Sequence, residues 1–174
     1  MVVKSALETV TTTAASGTFG TNTTAYIGKV YFPVGMRVDK LFLHSQAVSV
    51  AGTFVVGLYS EDGLTQHSTG STSSVDAVAL SVTTTMTTVV LPAGAYYVAV
   101  VPVGTADVGF TVWNTEASGA STPFSNFATT MSENTYPLFE GTQAVSAGTL
   151  PTTITPKTMT ITNRITPVIL AVSL

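Results

Sequence analysis

The sequence predicts an all-β protein, a jelly-roll-type antiparallel β-sandwich with an extended N-terminal arm and long loops. Three observations carry that expectation. Threonine supplies 33 of the 174 residues, and its β-branched side chain suits a pleated sheet better than a helix. Short apolar or alternating runs recur, separated by turn residues at the spacing of about 8–12 positions typical of sandwiches and barrels. No stretch repeats its apolar residues at the helical period. The chain is also longer than the roughly 100 residues of a minimal immunoglobulin-like sandwich, and two four-stranded sheets with decorated loops fit it better. Residues 1–23 are expected to form the arm and residues 24–174 the sandwich domain.

The elements follow in order. Residues 11–24 are low in complexity and rich in Thr, Gly and Ala, which reads as extended chain with no core of its own. The first strong strand signal is Thr24-Ala-Tyr-Ile-Gly-Lys-Val-Tyr-Phe32, closed by a turn at Pro33-Val-Gly35. Residues 37–50 form a second run, whose Val38, Leu41 and Leu43 alternate imperfectly, as in a strand with a bend or bulge. Residues 53–60 are nearly all apolar and suit a central strand. Glu61-Asp62-Gly63 is the clearest turn signal, and the Ser/Thr/Gly cluster at 68–74 reads as a surface loop. Residues 76–82 and 86–91 read as two short strands divided by the polar step Thr83-Thr-Thr85. Pro92-Ala-Gly94 turns into residues 95–103, the most hydrophobic run, with Pro102 near its end where a missing donor is tolerable. Residues 108–114 make a further strand, and 115–150 long loops pinned by the aromatics Phe124, Phe127, Tyr136 and Phe139. Residues 158–162 alternate cleanly, and 167–174 close the chain as a buried strand. The expected core contains Leu41, Leu43, Phe54, Val56, Leu58, Val98, Val100 and Ile169.

Composition excludes several classes. Only 9% of residues are charged against about 25% in ordinary globular chains, so a coiled coil or charged disordered tail is ruled out. Six basic residues and a net charge of −3 cannot neutralise a phosphate backbone, which argues against a nucleic-acid partner. Cysteine is absent, removing disulfide and thiolate chemistry. Glu8 interrupts any signal-peptide-like apolar stretch, and no apolar window approaches the about 18 residues of a transmembrane helix. A mean hydropathy of +0.44 has two readings: surface covered by other subunits, or sheets buried on both faces.

Candidate chemistry is sparse. His44 lies among apolar strand residues, where a hydrogen-bonded, half-buried role is expected. His67 follows the Glu61–Asp62–Gly63 turn, so these three side chains are the conceivable metal ligands, although solvated turn residues are the simpler reading. Nine acids are placed by no recognisable hydrolase motif, and no Gly-x-Ser-x-Gly, P-loop or His-Glu-x-x-His is present. Asn22-Thr-Thr24 matches a glycosylation sequon. Trp113, Tyr96, Tyr97, Tyr136 and Phe139 could in principle stack on a sugar ring. However, Tyr96 and Tyr97 are adjacent on a strand and must face opposite ways, so core packing is expected of them. No catalytic, cofactor or metal residues are assigned, and an enzyme is not expected.

A longer pattern points to a family. Tyr26-Ile-Gly-Lys-Val-Tyr-Phe-Pro-Val-Gly35, Arg37-Val-Asp-Lys-Leu41, Val56-Gly-Leu-Tyr-Ser-Glu-Asp-Gly63 and Leu91-Pro-Ala-Gly-Ala-Tyr-Tyr-Val-Ala-Val100 together resemble β-sandwich domains of tailed-bacteriophage structural proteins. Pro167-Val-Ile-Leu-Ala-Val172 is similar to their closing strand. The likeness covers residues 24–104 and the C-terminal strand, and is weak over 115–160. It implies a virion component: a capsid decoration or cement protein that binds the head lattice, or alternatively a tail- or fibre-associated receptor- or carbohydrate-binding module. No coiled-coil or collagen-like shaft accompanies the domain, which favours the decoration reading. Expected partners are the major capsid protein or other virion proteins and further copies of the chain, for instance a trimer over a symmetry axis, with a host-surface glycan under the alternative. Neither nucleic acid, membrane nor cofactor is expected. The arm at 1–23 and the loops at 115–150 are the expected contact surfaces, and the threonine-rich strands are expected to pair edge to edge with a partner.

Overall fold

A computed structural model describes residues 2–4, 15–19, 22–43, 52–70, 73–75, 82–104, 108–112, 116–117, 120–121, 141–155, 160–161 and 169–172. Side chains are described at 22–43, 52–70, 82–104 and 141–155. Among these residues there is no helix. The strands are β1 (Val2–Lys4), β2 (Ala15–Phe19), β3 (Thr24–Phe32), β4 (Met36–Leu43), β5 (Gly52–Tyr59), β6 (Gln66–Thr69), β7 (Ser73–Val75), β8 (Val82–Leu91), β9 (Gly94–Pro102), β10 (Val108–Val112), β11 (Glu116–Ala117), β12 (Ala120–Ser121), β13 (Gly141–Ala144), β14 (Thr160–Ile161) and β15 (Ile169–Val172).

Every pairing between them is antiparallel. One sheet runs β1-β15-β4-β8, and a larger one runs β14-β13-β3-β9-β5-β6, with β7 continuing along the same edge of β5. The pairs β10-β2 and β11-β12 stand apart from both. The two large sheets share one core. Val30 and Phe32 of β3, Phe54, Val56 and Leu58 of β5, and Val98 and Val100 of β9 meet Val38, Leu41 and Leu43 of β4 and Met86 and Leu91 of β8. Seven of the eight expected core residues are fully buried there. The eighth, Ile169, is in register with Leu43 on β15, but its side chain lies outside the described residues.

Strands β5 and β9 are apolar at nearly every position because the larger sheet is covered on both faces. Its outer face carries a second cluster of Ala25, Ile27, Tyr59, Tyr97, Ala99 and Val101, roofed by Ile154 with Val145 and Leu150. Consecutive side chains alternate between faces, so Tyr96 enters the first cluster and Tyr97 the second.

Several elements differ from the sequence expectation. Thr83–Thr85 do not divide two strands: β8 is continuous from Val82 to Leu91. Threonine serves both faces of a strand there, with Thr84 buried inward and its neighbours exposed. The described part of the 68–74 cluster is not loop, since β6 and β7 lie on the edge of β5. Gly70 between them forms a bridge to Met86 of β8 and its N–H donates to Val56 O. A methyl group built on Gly70 would stand 2.4 Å from Thr84 Cγ2, so the sheets close together here only around a bare backbone. The expected bulge in β4 is present between Val38 and Lys40. Part of the 115–150 region is structured: β11 and β12 pair, and β13 pairs β3. Within the expected arm, β1 pairs β15 and β2 pairs β10; the remaining positions of 1–21, and those of 44–51, 76–81 and 122–140, lie outside the described residues.

This burial pattern sets the stability of the sheets. Leu58→Ala should cost about 2–5 kcal/mol, as buried leucine truncations do, whereas Thr85→Ala on the exposed side of β8 should stay within about 0.5 kcal/mol. Urea unfolding of both variants, with far-UV circular dichroism lacking a helical band, checks the assignment.

Candidate functional site

The outer face of the larger sheet holds most of the described polar side chains that are organised by the fold. Lys29 of β3, Tyr97 of β9 and Tyr59 of β5 stand in one cross-strand row, which continues to Gln66 on β6. Lys29 is only 9% exposed, yet its Nζ lies 3.1 Å from Glu61 Oε1 and 5.6 Å from the Tyr97 ring centre. Its aliphatic stem is buried while the ammonium reaches the Glu61 carboxylate, the usual way a long cation tolerates burial. Glu61 itself is 66% exposed, so the pair neutralises Lys29 without being sealed from water.

Tyr59 is the hinge of this face. Its hydroxyl donates to Pro151 O at 2.6 Å and accepts from Gln66 Nε2 at 2.7 Å. Burial pushes the hydroxyl's pKa up to about 12, against a smaller lowering by Gln66. The segment 145–155 is held down beside it. Gly63 N–H donates to Ser60 O, and Ile154 N–H donates to Gly63 O. Gly63 has φ of 75°, and a methyl group on it would lie 2.2 Å from Ile154 O; only glycine satisfies both the left-handed turn and the close approach. Gln143 completes the attachment by donating to Thr153 O and accepting from Thr155 N–H. Residues 145–150, expected among the partner-contacting loops, instead pack on the chain's own sheet through Val145 and Leu150.

The candidate ligands around the turn do not converge. Glu61 turns toward Lys29. Asp62 accepts from Ser60 Oγ and Leu64 N–H, which hold its carboxyl below the usual carboxylate range. His67 sets its ring edge-on to Tyr96 at 5.7 Å between centres. Among the described residues no three His, Asp or Glu side chains gather as a metal site. The aromatic platform is not assembled either: Tyr96 and Tyr97 are both buried, and Trp113, Tyr136, Phe139 and His44 lie outside the described residues. Among the described residues the exposed large aromatic is Tyr31, two positions beyond Lys29 on the same strand. Sequence reading passed over Lys29, Tyr31 and Tyr59. The available signal was parity: Ile27, Lys29 and Tyr31 share one face of β3, opposite the core residues Val30 and Phe32.

Loss of the Tyr59 hydroxyl strands the buried Pro151 carbonyl, so Tyr59→Phe should cost about 1–3 kcal/mol. Its raised pKa also fixes a pH dependence. The folded state holds the phenolic proton more tightly than the unfolded chain, so this stabilisation is complete below about pH 10 and is lost as pH rises toward 12. Tyr96 and Tyr97, both raised by burial and by the charge of Glu61, act in the same direction. Urea midpoints from neutral pH to about pH 12 should fall for the wild type and fall less steeply for Tyr59→Phe. Set beside family models, curated proteins and solved structures, the chain matches none of them.

Proposed function

We propose that this chain is a virion structural protein, a capsid decoration or cement subunit that stabilises a phage head lattice by binding. The reading rests on one observation above others, the order in which the chain visits its sheets. Taking β6 and β7 as one broken strand and β13 and β14 as an extension of the larger sheet, the chain switches between β1-β15-β4-β8 and β3-β9-β5-β6 at every step between their strands but one. The exception is β5 to β6, which form a hairpin. That interleaving is what a jelly roll of two four-stranded sheets requires, and it agrees with the sequence resemblance to phage structural domains.

The physical logic is multivalency. One small interface binds modestly, but a subunit touching several lattice neighbours makes each further contact effectively intramolecular. Each contact must then break before the shell can rupture. A low share of charged residues, 9%, keeps the desolvation cost of a broad contact small, and binding of this kind changes little with salt.

A second reading is favoured by Tyr31. It stands 59% exposed on a sheet face, two positions from Lys29, whose partner Glu61 is 66% exposed, and an aromatic ring with a carboxylate suits a sugar. That arrangement fits a receptor- or carbohydrate-binding module of a tail or fibre.

Heating particles with and without the protein separates the two. Removal should lower the melting temperature of the capsid and leave adsorption to host cells intact. Unchanged capsid melting together with lost adsorption would reject the cement role in favour of the glycan- or receptor-binding one.

A further inference from the structure

Among the described residues, the large apolar side chains left exposed are Tyr31, Val34, Leu64 and Val90, at 59%, 49%, 65% and 75%. Scattered single exposures are ordinary. These four share one end of the molecule. Phe32 pairs Gly94, Tyr59 pairs Tyr97, and Met36 pairs Leu91, so the turns at 33–35, 60–65 and 92–93 all project from that end.

The end is preformed. Gly35 packs against Leu91 O and Pro92 Cα, and Tyr96 Oη donates to Pro92 O at 3.0 Å. His67 abuts the Tyr96 ring, and Ser60 with Asp62 closes the 60–65 turn. Little ordering entropy remains for a contact made there.

Its two flanks differ in sign. On the side of the larger sheet, Tyr31 and Leu64 accompany Glu61, whose charge is met by Lys29, and the exposed carboxylate of Asp62. On the side of the smaller sheet, Val90 is in register with Arg37. The Arg37 side chain is 55% exposed, and its guanidinium touches Asp39 only loosely, at 3.7 Å, leaving most of its five donors for other acceptors. Each flank therefore offers an apolar anchor with a charge, and the charges are opposite.

We propose that copies of this chain associate through this end, the Val90–Arg37 flank of one copy on the Leu64–Asp62 flank of the other, with Val34 between them. A contact that set like flanks together would bring Arg37 near Arg37, or Asp62 near Asp62, which is repulsive. Because both flanks belong to one end, a two-fold contact already pairs unlike flanks in both directions. This self-association does not depend on the virion reading and is measured on the chain alone.

Sedimentation velocity of the full chain up to about 100 μM covers contacts of micromolar Kd. The wild type should self-associate. Val90→Asp places an acid against the acidic flank and Leu64→Arg a base against the basic one, so each should weaken association at least roughly tenfold. Both positions are exposed, and thermal melting confirms that the variants remain folded. The double variant Val90→Asp/Leu64→Arg restores opposite signs across a contact between unlike flanks and should recover association. A wild type that stays monomeric, association indifferent to both single changes, or a folded double variant without recovery would each overturn the proposal.

Discussion

The larger sheet has to be dry on both faces, and most of the molecule follows from that constraint. Strands β5 and β9 place apolar side chains on each side of one backbone, so a single facing sheet cannot bury them all. The smaller sheet covers one face, and the irregular segment 145–155 covers the other. An irregular segment brings backbone groups that also need partners. Val145 and Gly148 donate to Thr23 O and Asn22 O, Ile154 donates to Gly63 O, and the Pro151 and Thr153 carbonyls are met by Tyr59 and Gln143. The cover is therefore held by hydrogen bonds at its rim and by one deep side chain, Ile154, at its centre.

The same constraint decides how charge is tolerated. Lys29 sits on the face the segment covers, and its stem contributes to the burial while its ammonium needs an anion. Glu61 supplies that anion from the turn that also docks Ile154 through Gly63. Ion pair, turn and cover are thus one assembly. Two-sided burial also accounts for part of the high mean hydropathy, since a sheet with two dry faces needs more apolar residues than one with a wet side.

What the sequence made legible was whatever depended on local pattern. The bounds of β3, the continuous apolar runs of β5 and β9, the bulge in β4, the turn at Glu61–Gly63 and the opposed faces of Tyr96 and Tyr97 were all readable from alternation and turn chemistry. What stayed hidden depended on distant partners. Thr83–Thr85 looks like a break because threonine is polar, yet Thr84 is accommodated inside the core while its neighbours face water. Residues 66–75 look like a loop because Ser, Thr and Gly dominate, but β5 offers them an edge. Ile154 sits in a Thr- and Pro-rich stretch with no period, and nothing local marks it as the roof of a sheet. The row Lys29–Tyr97–Tyr59–Gln66 spans four strands, so it exists only once the register is known.

Closure of the sheets also bears on how this molecule can meet another. Threonine-rich β8 is the outer strand of its sheet, which in isolation would invite strand addition. Here its edge is engaged from within: Gly70 bridges Met86, and Ser68 Oγ donates to Thr87 O. Edge-to-edge pairing through the threonine strands is therefore disfavoured at this seam. A side-chain contact needs anchors that are apolar, exposed and fixed before binding. The interlocked turns at 33–35, 60–65 and 92–93 provide such anchors because the hairpins that carry them also build the core.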